Sequence, residues 1–95
     1  MTSIVTTEVA TLGDLLLRAC AAHPERRALV LPHASVTYGE LREGAFKVAR
    51  ALFGLGVKRG EHVALLLPNS VEFAEALFGI ALAGCVAVPL NARLR

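Results

Sequence analysis

Hydrophobic side chains follow two kinds of spacing along this chain. Leu12, Leu15, Leu16, Ala19 and Cys20 recur at three- and four-residue steps, which gathers side chains on one side of an α-helix. Thr11 with Asp14 three residues on has the form of a helix start, so a helix over Leu12–Ala22 is expected, ended at His23 by the steric demand of Pro24. Ala28–Leu31 is instead a short unbroken apolar run suited to a strand; Pro32–Ala34 then turn the chain and Ser35–Thr37 are extended.

Thr37-Tyr38-Gly39-Glu40 has the capping-box form, in which the threonine hydroxyl accepts from the Glu40 amide while the Glu40 carboxylate reaches back to the Thr37 amide. The helix that begins there carries Leu41, Ala45, Val48, Ala49, Leu52 and Phe53 on one face, with Arg42, Glu43, Lys47 and Arg50 largely elsewhere. Gly56 supplies the left-handed position that closes such a helix, and Val57 can fold back on its last turn.

Lys58-Arg59-Gly60-Glu61 reads as a solvated turn, and His62–Leu67 ends in an unbroken apolar run, the pattern of a strand covered on both faces. Asn69 with Glu72 repeats the capping logic for a helix over Val71–Ala83, whose only charges, Glu72 and Glu75, form a narrow polar stripe continued by Gly79. A helix apolar on nearly every other side is one enclosed by protein, and this chain offers few elements to enclose it. Gly84 ends that helix and Cys85–Leu90 form the next strand. Two strands joined by a helix make a crossover in one parallel sheet, an arrangement found where helices cover both faces.

Composition sharpens this picture. A chain of 95 residues makes one small domain at most, and at that size only ~60–65% of the unfolded surface is buried on folding. Yet 55% of the residues are hydrophobic and 19% charged, more apolar material than a small free-standing domain hides easily. The expectation is a larger body of which these residues are a part. Residues 1–10 read as a flexible polar tail, with the incomplete domain running from 11 to 95.

The formal charge of +2 comes from dispersed cations such as Arg26–Arg27 and Lys58–Arg59, without aromatic interleaving, so nucleic acid is not an expected partner. Cys20 and Cys85 lie far apart among alanines and valines, as reduced structural thiols of a cytoplasmic protein do. The uncharged run Ala76–Ala92 is interrupted by Gly79, Gly84, Pro89 and Asn91, which divides it into helix and strand rather than a transmembrane segment.

Candidate chemistry is sparse. The turn Leu67-Pro68-Asn69-Ser70 stands where an α/β sheet presents ligands to a helix N-terminus, but Pro68 lacks an amide and no glycine lets backbone approach a phosphate, so capping explains it better. His23, His33 and His62 lack metal-ligand spacing, Glu72 and Glu75 read as a wet stripe, and Ser35 and Ser70 lack the small-residue elbow of a nucleophile. The glycines at 54, 56 and 60 follow a helix rather than a strand and read as caps and turns. No catalytic, cofactor-binding or metal-binding residue is assigned on these grounds.

Thr37-Tyr38-Gly39-Glu40-Leu41, and later Ala81-Leu82-Ala83-Gly84-Cys85-Val86-Ala87-Val88-Pro89-Leu90-Asn91, together resemble the first two core motifs of the adenylate-forming synthetases. Leu55-Gly56-Val57 before Gly60, and Leu66-Leu67-Pro68-Asn69-Ser70 before Glu72-Phe73, are similar to that family's connecting stretches, so the resemblance spans about Thr11–Arg95. It implies part of the N-terminal subdomain of a three-layer α/β synthetase, with a mostly parallel sheet and helices on both faces. Asn91, where amino-acid-activating domains tend to place aspartate, resembles the acyl-CoA synthetase branch; Ala92 departs from the proline often found there.

By that resemblance the whole enzyme would activate a carboxylic acid, a fatty acid in the first instance, through an acyl-adenylate and pass it to coenzyme A, using ATP and Mg²⁺. The family's phosphate loop, adenine-contacting segment, ribose-binding aspartate and C-terminal lysine have no matching position in this sequence. The expectation is therefore an N-terminal portion that is inactive alone and whose partner is the remainder of the synthetase domain. The alternative is a small non-enzymatic α/β module that self-associates or pairs its sheet edge with another chain.

Overall fold

In the computed structural model, which describes residues 13–68 and 70–90, residues 13–22 are helical (α1). They are followed by β1 (Arg27–Leu31), β2 (Ala34–Thr37), α2 (Tyr38–Gly54), β3 (His62–Leu65), α3 (Val71–Leu82) and β4 (Val86–Pro89). The expected tail over residues 1–10, the Thr11 cap, Asn69 and the motif end at Asn91–Arg93 lie outside the described residues.

β1 and β2 pair antiparallel, with an irregularity between Arg27 and Leu29. β3 and β4 pair in parallel, His62 opposite Val86 and Leu65 opposite Pro89, and α3 is the crossover that parallel pairing requires. The antiparallel hairpin is an element that the run-by-run pattern did not specify, because two adjacent apolar runs joined by a short turn say nothing of which sheet they join.

Two helix ends close in the same way. At the end of α2 the Gly56 amide donates to the Phe53 carbonyl (3.0 Å) and the Val57 amide to Leu52 (3.0 Å), with Gly56 at φ 88°. At the end of α3 the Gly84 amide donates to Ala81 (3.0 Å) and the Cys85 amide to Ile80 (3.0 Å), with Gly84 at φ 78°. Both are Schellman motifs, and the positive φ is the reason each needs glycine. Val57 packs near Leu52 in the core, as folding back on the last turn requires.

The start of α3 departs from expectation. Its N-cap is Ser70, whose hydroxyl accepts from the Phe73 amide. The hydroxyl reaches the third amide ahead of it, the geometry that Asn69 paired with Glu72 was expected to supply one residue earlier.

The core has two clusters. Leu16, Cys20, Val36, Leu41 and Ala45 form one, and Ala49, Ile80, Ala83, Cys85 and Ala87 the other, with Leu82 packed against both. α1 turns Leu16 and Cys20 inward but leaves Leu15 53% exposed, and Phe53 at the last turn of α2 is 54% exposed. The side chains at those two spacing-matched positions point past the edge of the core.

α2 and α3 cross at small residues. Ala45 is fully buried, and a Cβ placed on Gly79 would lie 2.5 Å from Val48 Cβ and 2.7 Å from the Ala45 carbonyl oxygen. Gly79 is therefore not part of a wet stripe. Glu75 lies over Gly44 of α2 and is half-buried, so of the polar residues on α3 only Glu72 faces solvent fully. α3 is the enclosed helix of the molecule, wrapped by elements of this chain more completely than its neighbours in sequence suggest.

The cover that is absent from the described residues lies elsewhere. On β3 and β4, Val63, Leu65 and Ala87 face α3, and alternation sends Ala64 and Val88 to the opposite face, where Ala64 is exposed and Val88 half-buried.

Candidate functional site at the carboxyl ends of the parallel strands

In an open α/β sheet a ligand sits beyond the carboxyl ends of the strands, here the turn after β3 and the end of β4. Leu90 donates its amide to the Leu65 carbonyl (2.9 Å), which carries the ladder one residue past β4. Leu66, Leu67 and Leu90 surround this end and are 56%, 37% and 46% exposed. Ser70 is the one hydroxyl near the turn, and it is committed twice: it donates to the Pro68 carbonyl (3.0 Å) and accepts from the Phe73 amide (3.0 Å). Pro68 contributes no donor. A triphosphate asks for several converging donors and a metal with carboxylate ligands. Among the described residues no group of three or more His, Cys, Asp or Glu side chains is placed to hold a metal ion, so the residues at this end do not fit ATP and its cation.

The N-terminus of α2 is closed by protein atoms. The Tyr38 amide donates to the Arg26 carbonyl (2.9 Å), the Gly39 amide to Pro24 (3.0 Å) and the Glu40 amide to Thr37 Oγ1 (3.1 Å), while the Thr37 amide donates to Glu40 Oε1 (2.9 Å). The capping box expected at Thr37 and Glu40 is thus formed, and its amides are occupied by protein rather than open to an anion.

The remaining candidate residues are dispersed. His23 follows α1, His33 sits at the tip of the β1–β2 hairpin and His62 opens β3, all three exposed. Ser35 is exposed on β2, and Glu72 and Glu75 point respectively to solvent and to Gly44. Cys20 and Cys85 are both free and buried. Each thiol donates to a backbone carbonyl, Cys20 to Tyr38 (2.9 Å) and Cys85 to Lys58 (3.3 Å), tying α1 to the start of α2 and the residue before β4 to the turn between α2 and β3. Burial pushes the Cys20 thiol above its ordinary range, with the Arg42 guanidinium partly opposing the shift. A cleft of about 670 Å³ opens beside it, lined in part by Thr37, Glu40, Arg42 and Glu43. The sequence offered no signal for that cleft, because it arises where α1 meets the capping box rather than from any motif.

Fold and turn together define a class: an α/β unit in which a β-α-β crossover stands beside an antiparallel hairpin. Residues 16–95 match the model of the AMP-binding enzyme family, and the chain belongs to that family, the adenylate-forming superfamily. It is 41% identical over 85 residues to the long-chain-fatty-acid–CoA ligase FadD13 of Mycobacterium tuberculosis, covering 87% of this chain and 17% of the ligase. It is 36% identical over 84 residues to a 2-succinylbenzoate–CoA ligase of Bacillus cereus, covering 88% of this chain and 17% of that enzyme. Among solved structures, the N-terminal domain of FACL13 from M. tuberculosis matches with a TM-score of 0.81 at 40% identity, over 87% of this chain and 22% of that one. The chain thus spans about 17% of the length of the curated relatives it matches. Among the described residues no helix is long and apolar enough to cross a membrane.

Proposed function

We propose that residues 11–95 are the N-terminal scaffold of the AMP-binding domain of an acid–CoA ligase, a cytoplasmic enzyme that activates a carboxylic acid as its acyl-adenylate and transfers it to coenzyme A. Two relatives that share more than a third of their aligned residues with this chain carry acid–CoA ligase names, and Asn91 resembles the acyl-CoA branch. A fatty acid is the substrate class favoured by the similarity to FadD13. The observation that carries the scaffold role is that the N-terminus of α2 and the Ser70 hydroxyl are engaged by protein atoms, while only 17% of the relatives' length is spanned. Handling of ATP, Mg²⁺ and coenzyme A accordingly falls to the remainder of the synthetase domain.

The reading is tested in two arms. Purified chain incubated with ATP, Mg²⁺, coenzyme A and fatty acids is expected to release no pyrophosphate above a protein-free blank; measurable turnover overturns the inactive-scaffold reading. In the second arm, residues 11–95 replace the matching segment of FadD13. The chimera is expected to keep fatty-acid-dependent pyrophosphate release, and a folded chimera that lacks it overturns the ligase reading.

A further inference from the structure

We draw no further inference here: the strongest candidate, the cleft of about 670 Å³ where α1 meets the start of α2 beside the Cys20 thiol, carries nothing because that lone thiol is already bonded to the Tyr38 carbonyl, Glu40 is spent on the Thr37 amide, and nothing in the structure shows what ligand the cleft takes.

Discussion

Three glycines in the helices sort by what surrounds the hydrogen that a methyl would replace. At Gly79 an added Cβ meets Val48 Cβ at 2.5 Å and the Ala45 carbonyl oxygen at 2.7 Å; one neighbour is a β-branched side chain and the other is backbone, so neither yields without moving α2 against α3. At Gly44 the obstacle is the flexible Glu75 side chain, and at Gly54 nothing lies within 4 Å. Alanine is preferred to glycine in a helix by roughly 0.5–1 kcal/mol, so steric cost decides the sign. Gly79→Ala is expected to destabilise by about 1–3 kcal/mol, Gly44→Ala to be nearly neutral as Glu75 swings aside, and Gly54→Ala to stabilise by roughly 0.5–1 kcal/mol. The urea midpoint of the 222 nm helix signal reads all three. Equal midpoints for Gly79→Ala and Gly54→Ala would refute the close crossing of α2 and α3.

At the scale of elements, helix ends were the most legible part of this chain, because caps are local chemistry. Thr37 and Glu40 make the reciprocal bonds their spacing prescribes, and Gly56 and Gly84 stand at positive φ where each helix stops. The cap of α3 is Ser70 rather than the expected Asn69; asparagine and serine are both good caps, so two adjacent candidates leave the choice open in the sequence. Ser70 accepts from the Phe73 amide, so Ser70→Ala is expected to cost about 1 kcal/mol of α3 stability, matched by about 1 kcal/mol for Thr37→Ala at α2. Hydrogen exchange at the Phe73 amide provides the sharper reading: it should accelerate in Ser70→Ala and stay slow in Thr37→Ala, and no change in either variant would contradict the assigned cap. Pairing between elements was less legible. Apolar runs reveal strands, but whether β1 joins β2 or the parallel pair depends on contacts distant in sequence.

For the whole molecule, the excess of apolar residues was legible and its location was not. Helix α3, apolar on nearly every side, is the obvious segment to lie bare, yet it is wrapped by α2, both strand pairs and the start of α1, and only Glu72 on it is exposed. The bare surface is the far face of β3 and β4, where period-two alternation hides half the strand from any reading that counts only hydrophobic runs. A site was not legible for a different reason: the amides that open α2 donate to the protein's own carbonyls and to the Thr37 hydroxyl, and the Ser70 hydroxyl donates to the Pro68 carbonyl. These facts bear on how the isolated chain behaves. Its two small clusters are joined chiefly through Leu82, and Leu66 and Leu90 stand in water, so secondary structure is expected to persist while tertiary packing fluctuates. The isolated chain should therefore melt broadly by circular dichroism and bind the dye ANS. Glutamate at Leu66 and Leu90 together should remove most of that dye binding, whereas Leu55→Glu should not, because a single apolar side chain exposed away from others makes no patch. A sharp two-state melt of a monomer that binds no dye would mean that the chain closes its own core.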